Sequence, residues 1–374
     1  MKSKRPIALL LQGGGADREN VRYCSGFDAP DPFYVICKGD EVHVLVSPLE
    51  LGRAQALSPR IQAHNSLDLG LKGAKRGQAA HQISALLKRL GIRKVQVSSD
   101  FPVGVYRALE KLEQPLQVAK GALFPQRIVK SESERSLLRI SQKGAVSAMK
   151  RARQVLSEAE ILSDGLLRWE GELLSSEGLR LQIDLELMSH GLRADEVIVA
   201  GGDQACDPHE RGFGPLRSGE AIILDIFPRS LSSGYWGDLT RTVVKGKASS
   251  ELQRLYRSVK DAQEEALGRL KPGVTGAEIH QRIVERFDAD GWKTQFDGKP
   301  TGFIHSTGHG VGLEIHEAPS VSPKGGALEE GMVITVEPGL YYPGLGGIRV
   351  EDTVEITADG AQPLARCSKS FRIS

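Results

Sequence analysis

The 374-residue chain is poor in cysteine: Cys24, Cys37, Cys206 and Cys367 lie far apart and form no CxxC pair. Such spacing offers neither a disulfide framework nor a four-sulfur zinc site, and a reducing cytoplasm is the simplest home for it. No stretch approaches the roughly 18 to 20 apolar residues that cross a bilayer. The stretch 7–11 follows a basic start, yet it is shorter than the roughly 7 to 15 residues of a signal-peptide core and reads as a first β-strand. An excess of one charge is also missing. Against 49 Lys+Arg stand 47 Asp+Glu, a net +2, which gives no electrostatic case for a nucleic-acid or membrane-surface partner. The chain shows no internal repeat and no low-complexity tract.

What remains, 40% apolar residues with 42 glycines, is an ordinary soluble globular composition, and the length favours two domains. Residues 1–126 alternate strand and helix signals as an α/β domain does. Strands are expected at 7–12, 33–38 and 41–47, the last two an antiparallel pair about Gly39-Asp40, where glycine accepts positive φ. A helix over 78–90 stops at Gly91, followed by a strand at 94–99, a helix at 102–112 and a strand at 116–120. Gly13-Gly14-Gly15 lacks the Walker lysine and the spaced dinucleotide pattern, so it reads as a loop rather than a phosphate cradle.

Residues 127–374 begin afresh. Ser131 and Glu134 form a capping box ahead of an amphipathic helix to about 156, and Thr275 with Glu278 forms another. Helices at 168–189, 250–269 and 276–290 interleave with strands at 197–200, 220–227, 239–245, 332–337 and 347–356, an α+β pattern with mostly antiparallel strands.

Several of these apolar strands carry an acid: Asp225 in AIILDIF, Asp238 in GYWGDLTRTVV, Glu337 in MVITVEPG and Glu351 in GIRVEDTVEI. A buried unpaired carboxylate costs several kcal/mol, so positive charge must compensate. Arg241 and Arg349 are the nearest arginines, and two cannot balance four. Period-two alternation puts Arg349 on the face of Glu351 and Arg241 on the face opposite Asp238, Thr240 and Thr242. Two divalent cations would neutralise all four acids, and carboxylates bridge metals about 3.5 to 4 Å apart. HSTGHGVGLEIHEAP supplies His305, His309 and His316; its glycines argue against a helix, and no HExxH is present. Gly308 and Gly310 leave His309 without bulky neighbours.

At this point the second domain resembles the "pita-bread" metallopeptidase family, which holds aminopeptidase P, prolidase and methionine aminopeptidase, with creatinase as a metal-free relative. The matching stretches are DIFPRSLSSGYWGDLTRT, HSTGHGVGLEIHEAP, VEPGLYY and GIRVEDT, and NVRYCSGFDAPDPFYVI resembles the extra N-terminal domain of the aminopeptidase P, prolidase and creatinase branch. The resemblance implies five metal ligands, Asp225, Asp238, His309, Glu337 and Glu351, holding two divalent ions: manganese first, with cobalt, zinc or iron possible. A ligand carboxylate beside the attacking water can take its proton and pass it to the leaving nitrogen, which makes Glu337 the expected proton shuttle; the resemblance implies His316 on the substrate carbonyl, His209 as a further catalytic and substrate-contacting histidine, and His305 lining the substrate pocket. Arg349 would orient Glu351. Glu314 and Glu317 are read as solvating the motif's edge, and His43, His64, His81, His190 and His280 as surface or core residues. Twelve residues separate Asp225 from Asp238, more than is usual in the family, which implies an enlarged turn.

The activity implied is release of an N-terminal residue ahead of proline, as an Xaa-Pro aminopeptidase or dipeptidase, by a homo-oligomer, a dimer first. Two alternatives stand beside it: a creatinase-like hydrolase of a small amide that works without metal, and a noncatalytic peptide-binding scaffold of the same fold.

Overall fold

A computed structural model describes residues 7–57, 60–294 and 298–373. The chain divides into two compact units, Met1–Pro125 and Gln126–Ser374; the sequence places the division one residue later.

The first unit is built on a six-stranded mixed sheet. Ala8–Gly13 pairs antiparallel with Phe33–Lys38 and parallel with Val95–Val97. Phe33–Lys38 and Glu41–Val46 form the expected hairpin, with Gly39 at φ +62°. Three elements escape the periodicity argument: the helices Arg18–Ser25 and Pro48–Leu57 and the strand Ile61–Asn65. Arg18–Ser25 is short and polar, Pro48–Leu57 carries Gly52 and leaves a single residue, Ala54, buried, and Ile61–Asn65 is a five-residue strand with one buried side chain, Ile61. Gly14 turns the chain at φ +72°, as a loop requires.

The second unit contains two main sheets. One orders Ile198–Gly201, Ile222–Ile226, Leu239–Lys245 and Arg372–Ile373; the other orders Glu317–Val321, Gly308–Gly310, Val333–Val336, Asp352–Thr357 and Gly360–Pro363. The first sheet turns Ile222, Leu224, Ile226, Leu239 and Val243 into a core shared with helices Glu132–Glu158 and Ser176–Ser189. The second turns Ile334, Val336, Val354 and Ile356 toward helices Ser250–Leu267 and Gly276–Ala289. Because side chains alternate along a strand, burying those residues against helices sends Asp225, Thr240, Thr242 and Thr335 to the other face. The two sheets meet where Glu351 N donates to Thr240 O at 3.1 Å and Thr353 Oγ1 to Asp238 O at 2.7 Å.

Two expectations change. The helix expected from 168 begins at Ser176, because residues 160–173 form a small three-stranded sheet that turns at Glu170 and Gly171, both at positive φ. The strand expected over 347–356 is two strands, Gly346–Arg349 and Asp352–Thr357, which belong to different sheets.

The long helix begins at the Ser131–Glu134 capping box and carries Gln142, whose amide holds Asp238 by both backbone groups: Asp238 N donates to Oε1 and Nε2 donates to Asp238 O, each at 2.8 Å. Gly237 makes that approach feasible, since a Cβ there would stand 2.7 Å from Gln142 N. Ser131→Ala should lower stability by about 1 kcal/mol. Gly237→Ala should cost roughly 2 to 3 kcal/mol as the helix is forced outward. Urea titration of both variants checks the order.

Candidate metal centre

Five strand ends converge at the seam between the sheets. Asp225 lies in Ile222–Ile226 and opposes Thr240 across the ladder, while Asp238 immediately precedes Leu239–Lys245. His309 occupies the middle of Gly308–Gly310; Glu337 follows Val333–Val336 and Glu351 precedes Asp352–Thr357. Glycine flanks His309 out of necessity, because a Cβ at Gly308 would lie 2.1 Å from Thr335 O and one at Gly310 2.3 Å from Ala318 O.

Asp238, His309 and Glu351 each offer a ligand atom within 4.8 Å of the others. His309 Nε2 stands 3.1 Å from Glu337 Oε1 and 3.7 Å from Asp238 Oδ2. Threonines set the carboxylates: Thr240 Oγ1 donates to Glu351 Oε2 at 2.7 Å, and Thr335 Oγ1, which receives His309 N, donates to Glu337 Oε1 at 3.2 Å. These threonines are missed by a reading that follows charge alone, although Thr240 alternates with Arg241 on the face of Asp238.

The electrostatics expose a shortage of cations. Burial, then the charges of Glu351, Asp225 and Glu337, push Asp238 well above the usual carboxylate range. Burial with Glu337 and Asp225 pushes Glu351 up to about 8. Glu337 moves the other way, to about 2, because the hydrogen bond and charge of His309, with His305 and Arg349, outweigh its burial. His309 rises correspondingly: burial opposes its charge, but Glu337 and Glu351 favour it. Among the described residues no lysine or arginine forms an ion pair with Asp238 or Glu351. Asp225 Oδ1 is buried without a hydrogen-bond partner. One imidazole and four acids, two of which, Asp238 and Glu351, are pushed toward their protonated forms when no cation is present, fit divalent metal ions.

Arg349 departs from its expected partner. Its Nη2 donates to Asp225 Oδ2 at 2.6 Å and Nη1 to Tyr341 Oη at 2.9 Å, whereas Glu351 is oriented by Thr240. Arg349 ends one strand and Glu351 lies just before another, so alternation does not carry from one to the other, and Arg349 reaches Glu351 indirectly, through Thr240, to whose Oγ1 its Nε donates at 3.4 Å. Arg241 does face away, donating to Asp352 Oδ1 at 2.6 Å.

The hydrogen bonds also assign the tautomer of His305. Tyr341 accepts from Arg349, so its single proton goes to His305 Nε2 at 2.9 Å, and His305 Nδ1–H donates to Ser306 O at 2.7 Å. Both ring nitrogens are committed. Burial, foremost, keeps this ring neutral by lowering its pKa, and its edge lies against Phe303 at 5.5 Å between centroids. Tyr341 is fully buried four residues after Glu337, and carrying no charge it gives no signal within VEPGLYY. His316 stands edge-to-face on His309 at 4.3 Å, its pKa lowered by burial and by His309. His209 is exposed on the loop whose Pro208 carbonyl accepts from Arg349 at 3.4 Å, and its charge is felt by both His305 and His316. The connection between Asp225 and Asp238 folds back on itself, with Arg229–Ser230 paired to Leu192–Arg193 and Trp236 donating to Gly312 O and Leu313 O.

Residues 136–358 match the model of metallopeptidase family M24. The chain belongs to that family. This M24 metallopeptidase is 30% identical to an Xaa-Pro dipeptidase of Pyrococcus furiosus over 359 residues, 94% of this chain and 92% of that one. An Xaa-Pro dipeptidase structure from Bacillus anthracis superposes with a TM-score of 0.82 at 25% identity, covering 98% and 95% of the two chains. An X-Pro aminopeptidase structure from Thermotoga maritima, at 23% identity, shares the fold with a TM-score of 0.82 over 98% and 97%. No described helix of the M24 peptidase is long and apolar enough to cross a membrane.

The raised acids make stability depend on both pH and metal. In the metal-free enzyme Glu351 keeps its proton up to about 8 whereas the unfolded chain loses it above its ordinary 4.5. Stability from this group is therefore complete below about 4.5 and is lost as pH rises to about 8. The melting temperature of metal-free protein should fall across that window, Glu351→Gln should flatten the fall, and the gain from added Mn²⁺ should grow with pH. Thermal melts with and without Mn²⁺ check all three.

Proposed function

We propose that this M24 peptidase is a two-metal enzyme that releases the N-terminal residue from peptides with proline in second position, Xaa-Pro dipeptides first. The observation that carries this reading is the meeting of one histidine and four acids at a single seam, two of the acids, Asp238 and Glu351, having no lysine or arginine partner among the described residues. Similarity to Xaa-Pro dipeptidases across more than nine-tenths of the chain supports the choice of substrate. Asp225, Asp238, His309, Glu337 and Glu351 would hold the ions. When bound, such ions supply Lewis acidity and lower the pKa of water to near neutrality. An oxygen-rich set with one imidazole suits manganese first, and cobalt, iron or zinc also fit its chemistry.

The chain's own groups then divide the work. Glu337, anionic at neutral pH, accepts the proton of the attacking water; Oε1 is engaged by Thr335 and His309, which leaves Oε2 for it. The same carboxyl returns the proton to the leaving nitrogen. His316, neutral near pH 7, donates to the carbonyl oxygen as negative charge develops there, with His209 on the opposite loop as a second contact for the peptide. His305 has no ring nitrogen to offer, so with Phe303 it forms an apolar wall of the kind a proline ring fills. A homodimer and a cytoplasmic home belong to the same reading; the four cysteines are free, which suits a reducing compartment.

Metal-loaded protein should cleave Xaa-Pro dipeptides and, more slowly, Xaa-Pro tripeptides with Mn²⁺ or Co²⁺. Glu337→Gln should lose about 10³-fold in kcat and His316→Ala roughly 10²-fold. Protein shown to be metal-loaded that cleaves neither peptide refutes the reading, and activity in protein shown to be metal-free favours the small-amide hydrolase.

A further inference from the structure

Glu317 does not solvate the edge of its motif. Its side chain is 8% exposed and takes two cations, Lys130 Nζ at 2.8 Å on Oε1 and Arg127 Nη2 at 2.7 Å on Oε2. Lys130 is 2% exposed, and Arg127 also reaches Glu314 at 3.5 Å. Burial of an ion pair is costly and its removal more so, so an arrangement of three charges beside the centre calls for a reason.

That reason lies in what the carboxylate folds. The strand that holds His309 ends at Gly310, and a loop, 311–316, carries the chain through His316 to a return strand that begins at Glu317 opposite Gly310, with the register slipping between His309 and Gly310. Glu317 Oε1 occupies the space over Gly312, where a Cβ would lie 2.3 Å away, and Oε2 accepts Glu314 N at 3.3 Å. The loop is pinned again from the far side by Trp236, two residues before Asp238. Lys130 and Arg127 come from the segment leading into the long helix, the same helix whose Gln142 holds Asp238. Neighbouring stretches of one chain segment, 127–142, thus set the position of an acid of the centre and of the loop that ends in His316.

We infer that Glu317, clamped by Lys130 and Arg127, is a positioning residue that holds His316 edge-on to His309. The inference rests on the peptidase reading for its kinetic consequence and on geometry alone for its structural one. Glu317→Gln should lower kcat on an Xaa-Pro dipeptide roughly 10- to 100-fold, as loss of alignment does, with KM changed less than about 3-fold and metal content unchanged. Adding Glu317→Gln to His316→Ala should cause no further loss, because the two act as one. Should Glu317→Gln fail to fold for want of a counter-charge, the pair K130M/E317Q removes both buried charges together and should show the same kcat loss.

A second measurement needs no turnover. In metal-free protein, NMR contacts between the rings of His309 and His316 should vanish in K130M/E317Q and persist in Glu314→Gln. Retention of those contacts, or a loss in kcat that adds fully to that of His316→Ala, overturns the inference. Absence of peptide cleavage by metal-loaded parent protein refutes the peptidase reading instead, and the ring contacts then decide the positioning role by themselves.

Discussion

The arrangement of this molecule depends on how its buried acids are matched with positive charge. Asp352 is held by Arg241 at 2.6 Å and Lys369 at 2.9 Å. Glu355 is held by Arg135 and Arg139, and Glu317 by Lys130 and Arg127. Each of these acids has two cationic side chains. Asp225 has one, Arg349. Asp238 and Glu351 have none among the described residues, and their pKa values climb accordingly. A chain able to supply paired cations three times over, within one unit, and withholding them at two acids in one seam, leaves room for charge that arrives from outside. The partners that position Asp238 and Glu351 are neutral: the amide of Gln142 on the Asp238 backbone and the hydroxyl of Thr240 on the Glu351 carboxylate. Neutral donors settle geometry without competing for the anionic charge that a metal ion needs.

Much of this was legible as pattern. Both capping boxes, the apolar strands and the four interrupting acids all obey local rules that survive folding, because burial against a helix pair leaves period-two alternation intact from Ile222 to Ile226 and from Val333 to Val336. Alternation failed where the chain changed sheets, between Arg349 and Glu351, and with it went the expected pairing of those two residues. Glu317 was misread for a related reason. Its partners Lys130 and Arg127 lie almost two hundred positions earlier, and nothing in HEAP announces a buried ion pair. Tyr341, Thr240 and Gln142 carry no charge, so a search for charge passes them by; only contacts across strands and helices reveal what they orient.

Proton counting links the site to the rest of the fold. Arg349 donates to both Asp225 and Tyr341, so the tyrosine hydroxyl has one proton left and His305 must accept it, which commits the opposite ring nitrogen to the Ser306 carbonyl. Burial raises the Tyr341 pKa to about 12, so that proton stays in place at any pH the enzyme meets. This branch of the network therefore has a single protonation state. The branch through Asp238 and Glu351 does not: without metal its acids take up protons near neutral pH, and a bound cation must expel them. A branch whose hydrogen bonds are all assigned thus lies beside one that titrates, and the hydroxyl of Tyr341 and both ring nitrogens of His305 are already committed to partners within the fold.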